Sequence, residues 1–256
     1  MLNKEYDFYK QADDTLLFKR DIKLMPSINI EKISESIVEF DRIMRTFEDT
    51  EIPIGDILGL RNLSAFIGEV FNLSMAKVSE GSIKQNPHQD GYPDLLIMDE
   101  YGAELWKQLS NRIREKQPFS PFLGGGIEVK ATCGDIRSAK WFSAKGLYKC
   151  EIGDKRQEYV TSYNWKAHHR ETNNLMGIIW DFIDHKPKIV SIFYSNSLEE
   201  EDWGKTVMPK VGGGRTTSVS IMNRNGIKKM VEGQICIIGS TDYKKILKEK
   251  LSKYNS

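Results

Sequence analysis

The sequence predicts an α/β fold. Three observations carry it: apolar residues at helical spacing from Asn29 and again from Gly59, short apolar runs of strand length in the middle of the chain, and a glycine-led stretch, Gly124 to Thr132, in which charged and apolar residues alternate. With 256 residues, 39% hydrophobic and 29% charged, the chain can bury a sizeable core and has the balance of a globular protein. We read it as one domain, 1–256, with a core at about 60–195, an N-terminal helical region at 1–58 and a basic C-terminal region at 205–256.

Residues 1–26 show no clean period and read as a loosely packed arm. From Asn29, a candidate N-cap, Ile33, Ile37, Phe40, Ile43, Met44 and Phe47 recur every three or four positions, the mark of a helix buried on one side. Pro53 and Gly55 end it. A second helix is expected from about Gly59 to Lys77, with Leu60, Leu63, Ile67, Val70 and Phe71 on or near one face and Glu69 among them. A turn-rich segment then leads to Pro93, which a strand tolerates only at its first position, so Asp94 stands where the strand Leu95 to Met98 begins. Glu100 to Lys116 reads as a helix inserted between two paired strands, closed by Gly124, Gly125 and Gly126. Past Thr132, Arg137, Lys140 and Lys145 interleave with Trp141, Phe142 and Tyr148. The polar stretch Lys166 to Asn174, with His168 and His169, precedes two apolar strands, Leu175 to Ile183 and Ile189 to Tyr194. The remainder reads as β-rich: Val219 to Met222, a hairpin turn at Asn225-Gly226, and Ile235 to Ile238.

Charge is unevenly placed although the net value is only +1. Residues 1–60 hold eight Lys/Arg against thirteen Asp/Glu, a balance of −5, whereas residues 205–256 hold eleven against three, a balance of +8. A localised basic segment suits a phosphate-bearing partner, and a solvated lysine-rich tail explains its last turn equally well. No apolar run approaches the roughly 20 residues that span a bilayer. The first seven residues carry acids and no apolar signal core, and the three cysteines, Cys133, Cys150 and Cys236, are widely spaced without a CxxC. Both points lead us to expect free thiols and a cytoplasmic setting.

The chemistry gathers at two places. Successive side chains of a strand point to opposite faces, so Glu128 and Lys130 share one face while Ile127, Val129 and Ala131 share the other. A charged pair beside a buried strand is costly unless a cation, a partner charge or an anionic substrate uses it. With Asp94 at the start of a neighbouring strand, two carboxylates and one lysine form a plausible cage for Mg²⁺. Glu69 reads either as a helix-edge acid or as an acid aimed at that cage. The second place is Gly212 to Ser218, which lacks the lysine and hydroxyl spacing of a nucleotide-binding loop, so no nucleotide cofactor is expected. Its Arg215 has the geometry to pair with a guanine edge. Arg215, Thr216, Thr217, Asn223, Arg224, Lys140, His168 and His169 are therefore the candidate DNA-binding residues.

Pro93-Asp94 and Glu128-Val129-Lys130, each set at a strand end, resemble the two halves of the PD-(D/E)xK nuclease motif, and the layout resembles a type II restriction endonuclease. The resemblance covers about residues 60–195. It implies a mixed central β-sheet flanked by helices, with N-terminal helical and C-terminal β-rich additions outside that core. It also implies one or two Mg²⁺ held by Asp94, Glu128 and the Val129 backbone carbonyl, with Glu69 as a possible further acid, and Lys130 beside the attacking water. Asp90 is the alternative aspartate. Site-specific cleavage of double-stranded DNA by a homodimer, whose two-fold axis matches a palindromic site, is the leading expectation. The alternatives are a structure-specific or repair nuclease on the same core, a DNA-binding module without cleavage, and a metabolite-acting enzyme in which the Glu/Lys pair is coincidental.

Overall fold

The structure is a computed structural model that describes residues 1–48, 60–88, 91–133, 144, 165–167, 172–183, 186–208, 218–252 and 254. It confirms the fold class: a seven-stranded mixed sheet with helices on both faces. Strands β1 (Tyr6–Phe8), β4 (Ile83–Gln85), β5 (Leu95–Ile97), β6 (Gly126–Thr132), β8 (Leu175–Ile183), β9 (Lys186–Ser195) and β11 (Gln234–Ile238) stand in the order β1-β11-β9-β8-β6-β5-β4. Only β6 and β8 run parallel; every other neighbouring pair is antiparallel. Two small sheets lie outside it, a hairpin of β2 (Thr15–Arg20) with β3 (Lys23–Asn29), and β7 (Lys166–Ala167) with β10 (Ser220–Ile221).

Helices α1 (Ile30–Glu48) and α2 (Leu60–Val78) pack together on one face. The Asn29 side chain accepts the Lys32 N–H at 2.9 Å, the expected cap, and Ile30, Ile33, Ile37, Phe40 and Met44 are buried at the spacing that put them on one stripe. They meet Ile127, Val129, Met176, Ile178, Trp180 and Ile192 from the sheet. Helices α4 (Arg224–Glu232) and α5 (Thr241–Leu251) cover the other face, where Ile227, Met230, Val231 and Leu247 pack on Leu175, Ile179, Val190 and Phe193. Helix α3 (Glu100–Leu109) closes a small third cluster of Leu96, Phe119 and Phe122. Among the described residues no helix is long and apolar enough to cross a membrane. Cys133 and Cys236 are buried, and neither is in a disulfide; Cys150 lies outside the described residues.

Four local expectations need correction. Residues 1–26 are no loose arm, and the N-terminal region is not purely helical: β1 is an edge strand of the main sheet, and the hairpin buries Leu16 and Phe18. Short three- to seven-residue strands leave too few alternations for a period to show. The helix after Glu100 stops at Leu109 and continues as isolated 3₁₀ turns. Asn225-Gly226 forms no hairpin; the Asn223 side chain accepts the N–H groups of Asn225 (2.9 Å) and Gly226 (3.2 Å) and caps α4. A cap and a type I′ turn draw on the same residue types, and the burial of Ile227, Met230 and Val231 at helical spacing decides for the helix. Among the described residues the C-terminal region holds β10, β11 and two helices, α4 and α5, so it is helix-rich rather than β-rich.

Candidate active site

The site exists because β5 is shorter than β6. Pairing between them covers Leu95↔Ile127 and Leu96↔Gly126, and β5 starts only at Leu95. In a parallel pair alternate residues bond the same neighbour, so Glu128 and Lys130 turn their backbone toward β8, where Glu128 N–H donates to Asn174 O at 3.0 Å. Val129 turns the other way, toward the end of β5. There its N–H donates to Asp94 Oδ2 at 2.8 Å, and its carbonyl leaves on the same side. Asp94 is thus anchored by the backbone of the residue between the two others.

The three side chains converge. Lys130 Nζ lies 2.5 Å from Glu128 Oε1 and 3.5 Å from Asp94 Oδ2. Glu128 is the deepest, with 7% of its side chain exposed, against 21% for Asp94 and 25% for Lys130. Glu128 Oε2 is buried and has no hydrogen-bond partner among the described residues. Burial pushes the Glu128 carboxyl up to about 7; Lys130 opposes that rise and the charge of Asp94 adds to it. Burial pulls the Lys130 ammonium down, but the carboxylates of Glu128 and Asp94 outweigh it and hold its pKa well above the usual lysine value.

Glu69 joins this neighbourhood from α2, which packs along β6; a Cβ on Gly68 would stand 3.9 Å from Ala131 Cβ. Its carboxylate accepts a hydrogen bond from Gln85 Nε2 at 3.0 Å. Burial and the charge of Asp94 raise its pKa, while the Gln85 hydrogen bond and Lys130 act the other way. Asp94 and Lys130 are therefore within electrostatic reach. No protein-family model, curated protein or solved structure matches this chain. What the site does has to be argued from its own residues.

Among the described residues no group of three His, Cys, Asp or Glu side chains is drawn together tightly enough to hold a cation. Two carboxylates, one with an orphaned buried oxygen, beside a strand edge that presents a carbonyl nevertheless fit Mg²⁺, which takes hard oxygen ligands and is held by one or two protein carboxylates together with water and substrate oxygens. In this structure the ammonium of Lys130 stands between those carboxylates as their counter-charge.

The face that bears Glu128 and Lys130 is the one α4 covers. Gly177 pairs with Lys130, and the space a side chain would fill there is taken by Trp165 and Met230 Cε of α4. This brings the basic C-terminal region to the site's face. Of the candidate DNA-binding residues, Arg215, Thr216, Thr217, Lys140, His168 and His169, and likewise Asp90, lie outside the described residues. Asn223 is occupied as the α4 cap and donates from Nδ2 to Glu201 O at 2.5 Å, whereas Arg224 is exposed on the first turn.

Sequence reasoning missed three supporting residues. Asn174 uses its side chain as a strand would, accepting from Lys19 N at 2.6 Å and donating to Lys19 O at 2.7 Å, so one residue fixes both Glu128 and the β2–β3 hairpin. Asn86 bonds Asp94 O through its N–H (2.8 Å) and donates from Nδ2 to Pro93 O and Phe119 O, both at 2.9 Å. Gln85 is the third. Only the turn-rich composition around Asn86 pointed to any of them.

Proposed function

We propose that this chain is a Mg²⁺-dependent endonuclease that hydrolyses phosphodiester bonds in duplex DNA at a short specific sequence, in the manner of type II restriction endonucleases, as a cytoplasmic homodimer. The observation that carries the reading is the convergence of Asp94 and Glu128 on Lys130 where β6 outruns β5, with Glu128 Oε2 unpartnered among the described residues. A protein keeps a half-satisfied buried carboxylate at a cost, and a bound cation removes that cost.

Asp94, Glu128 and the Val129 carbonyl would hold the ion, with Glu69 at the edge. Bound there, Mg²⁺ supplies positive charge to the scissile phosphate and makes a coordinated water more acidic. The Val129 N–H keeps the Asp94 carboxylate turned into the site. Lys130, held protonated by its carboxylates, is a fixed positive charge rather than a base: it orients the attacking water and stabilises the charge that builds on the phosphoryl oxygens. The +8 balance of residues 205–256 and the position of α4 on the same face favour a phosphate backbone as substrate.

The test is incubation of long plasmid or phage DNA with the protein in Mg²⁺, beside a Lys130→Ala variant and an EDTA control. Discrete fragments from the parent, lost with EDTA and reduced by about 100-fold or more in the variant, are expected for loss of a transition-state charge. A smear would move the reading to a repair-type or non-specific nuclease. Salt-sensitive DNA binding without cleavage in any metal would leave a binding module, and neither cleavage nor salt-sensitive binding would refute nucleic-acid chemistry altogether.

A further inference from the structure

We propose that the β2–β3 hairpin and the first turns of α3 form a two-fold interface on which a second copy of this chain docks, each copy's Ile22 entering the groove of the other. It rests on the homodimer of the proposed function, to which it gives a face, and is independent of the cation site.

Arg20 pairs with Lys23, so Asp21 and Ile22 make the whole turn of the hairpin. Asp21 takes a positive φ (52°), which aspartate tolerates. Ile22 beside it is 92% exposed. A β-branched apolar residue does nothing for a turn, where glycine and polar residues prevail, and the fold of one copy gives it nothing to pack on. Nor can the tip retreat. Lys19 is tied to Asn174 by two hydrogen bonds, Leu17 O accepts from Tyr194 Oη and Asn196 Nδ2, and Arg20 reaches back to Asp99 and Gly124 O. Leu24, Tyr101 and Leu123 are exposed by 56, 51 and 68% around the same anchor, a concentration of apolar surface that marks protein contact sites.

An open groove of about 620 Å³ lies beside the turn, between Arg20 and Met25 of the hairpin and Glu100, Tyr101, Ala103 and Glu104 of α3. Because knob and groove adjoin, two copies facing each other across a two-fold axis fill both at once, as an isologous contact requires. Charge selects this occupant. Lys23 follows Ile22 on the knob while Glu100 and Glu104 line the groove, and Asp21 precedes Ile22 while Lys107 lines the groove as well. Asp21, Lys23 and Glu100 have no ion-pair partner among the described residues, whereas Asp99 is already paired with Arg20. A second copy therefore offers each part of the patch its opposite charge, and the same acids disfavour a nucleic-acid backbone here.

Sedimentation velocity of the full chain without DNA, from about 1 to 100 µM, should show a reversible monomer–dimer equilibrium. Ile22→Asp, which removes no contact within one copy, should weaken self-association by at least about tenfold. Lys23→Glu and the pair Glu100→Lys/Glu104→Lys should each weaken it comparably, since like charges then face each other twice. An equimolar mixture of those two variants should form a heterodimer, because every knob again meets a groove of opposite sign. A dimer unaffected by Ile22→Asp, or charge variants that fail to pair on mixing, would overturn this interface and leave the homodimer to another face. A wild-type chain that is monomeric throughout the range would refute the homodimer and this interface together, and the cleavage test judges the Asp94, Glu128 and Lys130 site separately.

Discussion

Replacing Lys130 by Met removes the counter-charge from a carboxylate that cannot reach water, and the structure sets both the size and the pH dependence of the loss. Glu128 is 7% exposed, its Oε1 is 2.5 Å from the lysine nitrogen, and its Oε2 has no hydrogen-bond partner among the described residues. Breaking such a pair from one side costs about 3–5 kcal/mol, because a charge is left buried and unpaired. The loss has a ceiling, since Glu128 can take a proton instead. From its wild-type folded value of about 7, protonating it at pH 8 costs about 1.4 kcal/mol at 1.36 kcal/mol per unit, and at pH 5 nothing, because it is already protonated there. In Lys130→Met the folded-state pKa is raised even further than the value near 7 of the intact pair. A raised folded pKa contributes stability that is complete below 4.5 and is lost as pH rises through the folded value. The gap between wild type and variant should therefore be about 1.4 kcal/mol larger at pH 8 than at pH 5, all of it opening above about pH 7, where the wild-type Glu128 ionises and the variant's does not. Urea denaturation at the two pH values measures it, and Lys130→Met/Glu128→Gln should recover most of the pH 8 loss. A loss of equal size at both pH values would refute the reasoning and mark the lysine's methylenes, rather than its charge, as the stabilising part.

Other perturbations follow from the same packing. Glu39 receives Arg42 at 2.7 and 2.8 Å and Lys77 at 2.9 Å, and the Arg42 hydrogen bonds lead in lowering its pKa from 4.5 to about 2. Its partners are half exposed, so solvent screens most of that shift; Glu39→Gln should cost about 1 kcal/mol at pH 7, and titrated melts should show the difference vanish as pH falls from 4.5 toward 2. Arg20 makes a bidentate pair with Asp99 at 2.9 and 3.0 Å and donates from Nε to Gly124 O at 2.9 Å, so Arg20→Lys should lose about 2 kcal/mol and expose the β2–β3 hairpin to limited proteolysis. Gly177→Ala would set a methyl 2.7 Å from Trp165 Cε2 and 2.8 Å from Met230 Cε, and calorimetry should register about 1–3 kcal/mol of overpacking.

What was legible in the sequence was what period and position determine. The α1 stripe from Ile33 to Met44 and the Asn29 cap could be read because nineteen residues give five repeats of the pattern. Asp94, Glu128 and Lys130 were legible because Pro93 fixes where a strand can start and alternation fixes which side chains share a face. The N-terminal strands were illegible for the opposite reason: the partner of β1 is β11, more than 220 residues away, and no local pattern announces a pairing of that range. The cap at Asn223 was misread because a helix start and a hairpin turn ask for the same residue types, and only the burial of Ile227 and Met230 separates them.

Gln85 and Asn174 show why a site's supporting residues are harder to read than its charged ones. Each acts through contacts that its own stretch of sequence does not show, Gln85 with Glu69 of the preceding helix and Asn174 with both backbone groups of Lys19, 155 residues away. An amide side chain is tolerated at almost any exposed strand end, so its presence carries little information until the partner is known. A lysine flanked by a buried acid is different, because burial makes the pair expensive and leaves few reasons for keeping it. The cost that makes Glu128 and Lys130 visible in the sequence is the same cost that Lys130→Met exposes at pH 8. Where a residue's placement is cheap, as for Gln85, function has to be read from what it orients.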